Sequence, residues 1–417
     1  MDLDSDIANL TLDTEPVLKQ TDINKDHFNV RKFLGRGCYS LVYEVEKNTG
    51  IDIGTQYALK KFFLLSSSAM KCVLRERQIL ARLAECEQSS HFLPTLFYSL
   101  WIPYSPIFII NEGCGRDLFD LIKHAGQMEE SYARFYLAEI ISGLEIVHSM
   151  GIVHLDLKPE NILFRSNGHI FIADFDRSYD FTISDKVPTD DDFTGTPLFM
   201  APEIASGQII STKADVWSLG ILVAEMVSGP VRPAAKDTAD DFHMARKGTY
   251  KIRGLNSFTK PMQSFFSATL KVPVRERIDL NAMKGLRFLK FVNWALVSSC
   301  KLKPPYDPMD FEHRPSPEDR KIFAEESDTI LRDAFAMKPS INYGGRKLNN
   351  KDDDAMADLR RETPSTLDGI VLNQAFTNFA YIHPSLRPIE IAYDEIKDLK
   401  KTPTQARPRT RNLSVGD

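Results

Sequence analysis

Hydrophobic and polar positions change their rhythm once along this chain. Across residues 28–30, 40–46 and 55–62 apolar and polar side chains nearly alternate, rich in β-branched and aromatic types, with Gly or Asn-Thr-Gly between the runs. That pattern predicts a small antiparallel meander. An amphipathic helix is predicted over 69–83, and short apolar runs at 96–102 and 107–111 complete the sheet. Helical rhythm then takes over at 118–124, 129–149 and 212–228. The last is apolar on most faces through Val216, Leu219, Ile221, Leu222, Val223 and Met226, as expected of a buried helix. Strands followed by helices predict an α+β fold of two lobes with a cleft between them.

Composition narrows the class. The 417 residues are 43% apolar and 26% charged, which excludes pervasive disorder, collagen and a membrane bundle. Fifty-two basic against 57 acidic residues leave a net charge of −5, without the positive field that holds nucleic acid or anionic lipid, so neither nucleic acid nor membrane is an expected partner. Cys38, Cys72, Cys86, Cys114 and Cys300 are widely spaced and form no CxxC pair, which predicts a reducing compartment, cytoplasmic and extending to the nucleus. The first 27 residues carry seven acidic and two basic side chains, the opposite of a secretory signal. The longest apolar runs, such as GILVAEMV, fall short of the ~20 residues a bilayer needs. Past Trp294 the chain turns Pro-rich, and at 342–354 Gly/Asn/Asp-rich as in a linker. An apolar island, FTNFAYI at 376–382, interrupts this tail; it is too short for a core and is expected to dock on the globular part.

Several residues carry candidate chemistry. In FLGRGCYSLVY, Gly35, Arg36 and Gly37 lie in a strand–turn–strand context where missing side chains let backbone N–H groups approach phosphate. A plain glycine hairpin fits the same residues. Lys60 lies on an apolar strand and Glu76 on the following helix, where a paired ammonium and carboxylate can orient phosphate oxygens; taken singly, both also fit solvated surface charges. IVHLDLKPENILF places Asp156, Lys158 and Asn161 close together between apolar neighbours, a density of polar functions that packing does not need. Thirteen residues after Asn161, Asp174 ends an apolar strand in FIADFD. Asn161 and Asp174 supply the hard oxygen ligands that Mg²⁺ shares with phosphate.

In this order and spacing the motifs resemble a eukaryotic protein kinase: GxGxxSxV, Lys60, Glu76, HLDLKPEN, DFD, GTP with APE at 195–203, and DVWSLG at 215–220. The resemblance covers residues 28–294 and implies a bilobal protein kinase fold: a small antiparallel lobe with one main helix, a larger helical lobe, and a C-terminal tail wrapping back on the small lobe. It divides the chain into an acidic tail at 1–27, the small lobe at 28–112, the large lobe at 113–300, a tail at 301–383 carrying the motif at 376–382, and an extension without fixed structure at 384–417. The implied cofactors are ATP and Mg²⁺. Asp156 would orient the substrate hydroxyl and Lys158 would steady the γ-phosphoryl group. Asn161 and Asp174 would hold Mg²⁺, and Lys60 with Glu76 would fix the α/β-phosphates. Val42, Ala58 and Leu163 would sandwich adenine, Glu112 and Gly113 would form the hinge, and Asn111 would be the gatekeeper. Arg277 would pair with Glu203.

Within the kinases, WALVSSCKLKPPYDP and NQAFTNFAYIHP resemble the tail and hydrophobic motif of the AGC group, nearest in appearance to its ribosomal S6 kinase branch. Phe376, Phe379 and Tyr381 would then bury against the helix carrying Glu76; an aggregation-prone loop piece is the competing reading. Lys158 and the GTP element imply Ser/Thr specificity. Asp117, Glu160 and Glu225 match positions that present carboxylates to substrate arginines, which implies protein substrates with Arg-rich Ser/Thr sites. Ser414 in RTRNLS and Thr363 in LRRET fit such sites, so self-phosphorylation is expected, with a solvated basic tail as the alternative. A monomer is expected.

The sequence also departs from the family. Leu155 replaces the arginine that usually precedes the catalytic aspartate, and Asp192, in an acidic run at 190–192, stands where AGC kinases carry an activating threonine, with Thr194 off register. Ala380 replaces the phosphorylated residue of the hydrophobic motif, and Leu331 is the nearest match to a Phe-Asp element. Asp176 replaces the DFG glycine, an expected strain of about 1–2 kcal/mol if the site is left-handed. An active kinase and a pseudokinase acting as a nucleotide-binding or allosteric scaffold both remain open on these residues.

Overall fold

Alternating burial builds the first layer. Strands Phe28–Arg36 (β1), Ser40–Lys47 (β2) and Gln56–Phe62 (β3) form the predicted meander, pairing antiparallel with Val42 opposite Lys60. In the β1–β2 turn a Cβ on Gly37 would stand 2.6 Å from the Ser40 hydroxyl, so the serine in place of a third glycine fills the space the second glycine leaves. Helix α1 (Ser67–Glu85) follows, then Leu96–Leu100 (β4) and Ile107–Asn111 (β5). The computed structural model describes residues 25–311 and 379–386 apart from 38–39, 51, 65–66, 87, 89, 102–105, 112, 114, 183–194 and 234–240. Glu112, Phe376, the run at 190–192, Thr194, Leu331, Thr363 and Ser414 lie outside the described residues.

The second layer is helical. Leu118–Ala125 (α2) starts on a reciprocal cap between Asp117 and Asp120, and Glu130–Ser149 (α3) leads into the short strand Ile152–Val153 (β6). A ribbon of Ile162–Phe164 (β7) and Ile170–Ile172 (β8) follows, then Tyr179–Asp180 (β9), which pairs with β6. Pro202–Ala205 (α4) precedes Lys213–Ser228 (α5), buried at every position from Ala214 onward, as its apolar composition predicts. Its Gly220 lies so close to Thr269 and Leu270 that a Cβ would clash at 2.7–2.8 Å. Arg232–Pro233 (β10), Asp241–Lys247 (α6), Tyr250–Lys251 (β11), Lys260–Thr269 (α7), Leu280–Lys284 (α8) and Trp294–Ser298 (α9) complete the lobe. No helix among the described residues is long and apolar enough to cross a membrane.

The tail touches both lobes. Its first residues cover the large lobe, where Arg116 Nε donates to the Phe311 carbonyl at 2.7 Å and the buried Phe311 ring meets Phe164 edge-on at 5.4 Å. Far downstream, Tyr381–Ile382 (β12) adds antiparallel to β4, giving the sheet order β1-β2-β3-β5-β4-β12. This covers an edge that would otherwise present unpaired backbone groups. Phe379 is fully buried, stacked on Phe108 at 5.7 Å and edge-on to Trp101 at 6.2 Å, while Ala380 between the two inward rings is exposed. Burying a phenylalanine contributes about 1.5–3 kcal/mol, enough to seat a two-residue strand that its hydrogen bonds alone would not hold.

Candidate active site

Strand β6 delivers His154, Leu155 and Asp156 to the floor of the cleft, and α5 fixes them there. The Asp215 carboxylate, wholly buried, accepts the backbone N–H of His154 and of Leu155 at 2.9 Å each and the His148 ring nitrogen at 2.8 Å. Burial alone would raise the Asp215 carboxyl, but the His148 contact and the amide donors hold it below the usual carboxylate range. Leu155 has φ of 65°, a conformation that strains a branched side chain by about 1–2 kcal/mol, and Asp215 is what stabilises it. The amide of Leu155 serves the site, while its side chain belongs to the core. His154 is buried in its neutral form: Nε2 donates to the Ala173 carbonyl at 3.0 Å and Nδ1 accepts the Asp156 N–H at 3.3 Å, which ties Asp156 to the residue before Asp174. Sequence reasoning gave no role to Asp215 or His154; a carboxylate in the first turn of an otherwise largely apolar helix was the signal for the first.

Asp156 is surrounded by donors. Lys158 Nζ lies 2.6 Å from Oδ2, the Asn161 amide donates to the same oxygen at 3.1 Å and to the Asp156 carbonyl at 2.8 Å, and the Thr196 N–H reaches Oδ1 at 3.2 Å. Lys158 also donates to the Thr196 hydroxyl at 3.1 Å. With its nitrogen turned to Asp156, Asn161 keeps its carbonyl oxygen for another partner. Asp174 also lies on the cleft, at φ of 67°.

Across the cleft, Lys60 Nζ bridges both halves, 2.7 and 2.9 Å from the Glu76 oxygens and 2.7 Å from Asp174 Oδ1. Burial opposes the charge on Lys60, but Asp174 and Glu76 together raise its pKa well above the usual ammonium value. Burial pushes Glu76 upward against the pull of Lys60, whereas Lys60 overrides burial at Asp174 and keeps it ionised. The α1 residues flanking Glu76 hold the helix in place: Arg75 Nη1 donates to the Asp176 carbonyl at 3.0 Å, and Arg77 Nε to the Phe379 carbonyl of the tail at 3.3 Å.

The remaining predicted residues distribute unevenly. Gly35, Arg36 and Gly37 close the β1–β2 turn, Val42 and Ala58 lie on β2 and β3, Leu163 bridges to Asp117, and Gly113 backs onto Phe171 and the Phe164 carbonyl. Asn111 does not hold the gatekeeper position. Ile110 is the residue opposite Ala58 on β5 and shares its face, whereas Asn111 pairs with Tyr57, accepts the Thr95 N–H and lines a cavity of about 300 Å³ behind the hinge with Thr55, Gln56 and Arg165. Strand period two makes a one-residue offset a change of face. Asp176 is likewise free of the expected strain, because the positive-φ residues other than glycine among those described are Leu155, Asp174 and Cys300. Burial and the Asp174 charge push the Asp176 carboxyl up to about 8, which favours its protonated form beside Asp174. Asp117 uses one carboxylate oxygen to cap α2. Glu225 accepts the Val231 N–H at 3.3 Å, and burial, with the exposed Glu160 carboxylate nearby, pushes it up to about 7. Arg277 and Glu203 form a buried bidentate pair at 2.6 and 2.8 Å.

Two comparisons with known proteins bear on this arrangement. The family described as the protein kinase domain matches residues 28–289. The chain is 31% identical to ribosomal protein S6 kinase alpha-2 of Mus musculus over 71% of its length and 42% of the relative's. It is 30% identical to the serine/threonine-protein kinase YPK2/YKR2 of Saccharomyces cerevisiae over 81% of its length and 49% of the relative's. It is 34% identical to the serine/threonine-protein kinase AtPK1/AtPK6 of Arabidopsis thaliana over 49% and 42%. The chain thus spans less than half the length of these curated relatives.

Proposed function

The chain belongs to the protein kinase family, and from that premise we propose that it is an active serine/threonine kinase of AGC type, near the S6 kinase branch, that transfers the γ-phosphoryl group of ATP to hydroxyls in Arg-rich sequences. The observation that carries this reading is the assembly on one cleft of Lys60 and Glu76 from one side with Asp156, Lys158, Asn161 and Asp174 from the other.

Each residue has a task its contacts suit. Lys60, oriented by Glu76, directs its ammonium at the nonbridging oxygens of the α/β-phosphates. The Asn161 side-chain carbonyl oxygen and the ionised Asp174 carboxylate are hard donors that fit Mg²⁺. Bound Mg²⁺ would neutralise charge on the phosphate oxygens. Asp156 accepts the hydrogen bond of the substrate hydroxyl and takes its proton as the O–P bond forms and the bond to ADP breaks. Lys158 follows the transferring group from beside Asp156, and Thr196 limits how far either can drift. Glu160 and Glu225 supply carboxylates for substrate guanidinium groups, and Ser414 and Thr363 are sites for the chain to modify in itself.

Incubating radiolabelled ATP with an Arg-x-Arg-x-x-Ser peptide tests the reading. Asp156→Asn should lower transfer by roughly 10²- to 10⁴-fold, and replacing the peptide arginines by alanine should weaken it strongly. Equal labelling by both chains would instead support the scaffold reading, in which nucleotide binds without transfer.

A further inference from the structure

Helix α1 carries a second attachment to the large lobe, two turns beyond Glu76. One guanidinium nitrogen of Arg82 pairs with the Asp180 carboxylate and the other donates to the Met150 carbonyl at the end of α3, at 3.0 Å. Asp180 is buried, and its other oxygen accepts the Thr182 N–H at 2.9 Å and hydroxyl at 2.7 Å, so the acceptor is held in one orientation. Its position matters for the chemistry. Asp180 lies opposite Ile152 in the β6–β9 ribbon. One strand of that ribbon runs directly into His154–Asp156, and the other follows Asp174 by a few residues. Arg82 therefore fastens α1 to the element that connects both acidic residues of the cleft. At 1.5 Å per residue, Arg82 lies about 9 Å along the helix from Glu76. With Arg75 bonded next to Glu76 and Arg82 farther on, the two contacts oppose sliding and swinging of the helix about the Lys60–Glu76 contact.

We propose that Arg82 is a positioning residue: its pairing with Asp180 holds Glu76 against Lys60 for phosphoryl transfer, so the assembled cleft requires no phosphate added to the chain. The negative charge is a side chain of the segment itself and is present from the moment of folding. The proposal rests on the phosphotransferase reading.

The test uses the full chain after phosphatase treatment. Arg82→Gln and Asp180→Asn should each lower kcat on the order of tenfold with the KM for peptide unchanged. The double variant should lose no more than either single, because both remove the same interaction. Arg82→Lys, which keeps the charge, should retain most of the rate that Arg82→Gln loses, and it replaces Asp180→Asn if that chain fails to fold. Singles within twofold of the parent, or losses that multiply in the double variant, would overturn the proposal. Hydrogen exchange over residues 73–83 gives a readout independent of turnover and should quicken in Arg82→Gln. If the parent chain transfers no phosphate, the phosphotransferase reading fails by itself. Unchanged exchange would sink the role of Arg82 in either case.

Discussion

The two halves of the cleft are held by different means. On the large-lobe side, Asp156 is held by donors on both of its oxygens and by a loop that Asp215 and His154 clamp from beneath, the former reaching 61 residues back along the chain to the His154 amide. On the small-lobe side, Glu76 rides on a helix fastened through long arginine side chains, one of which reaches 302 residues to the Phe379 carbonyl. The Ser99 hydroxyl donates to that same carbonyl, 280 residues away. A buried carboxylate with both oxygens hydrogen-bonded has no cheap alternative, so the first half is complete once the lobe folds. The second depends on remote segments being docked, which is a separate equilibrium and the one on which rate can be tuned.

Removing the clamp should have the largest effect. Asp215→Asn should lower kcat on the order of a hundredfold and reduce stability by about 3 kcal/mol, read from turnover and a denaturant midpoint; a rate within threefold of the parent would erase the difference between the halves. Phe379→Ala should release β12 and lower activity roughly tenfold, while the main unfolding transition barely moves because the strand is only two residues of β4's edge. A loss as deep as that of Asp215→Asn would mean that the small-lobe half is no softer. The smallest effect belongs to neither half. With the Glu225 carboxyl at about 7, acidification from pH 8 to pH 6 protonates it and removes its pull on a guanidinium. The KM for the Arg peptide should therefore rise several-fold as pH falls, and Glu225→Gln should abolish that KM trend; a KM trend that survives in Glu225→Gln would place substrate recognition elsewhere.

Much of the site was legible along the chain because its residues sit at the ends of strands and in a short loop. Asp156, Asn161 and Asp174 stood out as polar groups beside apolar runs, whereas Lys60 and Glu76, which singly also fit surface charges, were picked out by their place in the kinase-like order of motifs. Asn111 was misplaced because β5 is apolar on both faces and its alternation is invisible; only pairing with β3 showed that Ile110 shares the face of Ala58. The strain expected at Asp176 fell on Leu155 and Asp174 instead. Residue type suggests where positive φ is tolerated, but the path of the backbone decides where it occurs.

Local pattern by itself determined the five strands β1–β5, the helices α1, α2, α3 and α5, the buried character of α5 and the order of the polar groups, because each depends on neighbours a few residues apart. Only the tertiary structure decided that a strand from the tail would pair with β4, that Arg82 would meet Asp180, and that Asp215 would hold the loop beneath Asp156. Those contacts join segments whose separation in sequence bears no relation to their separation in space. A guanidinium or a carboxylate on a helix looks the same in sequence whether it meets water or a buried partner.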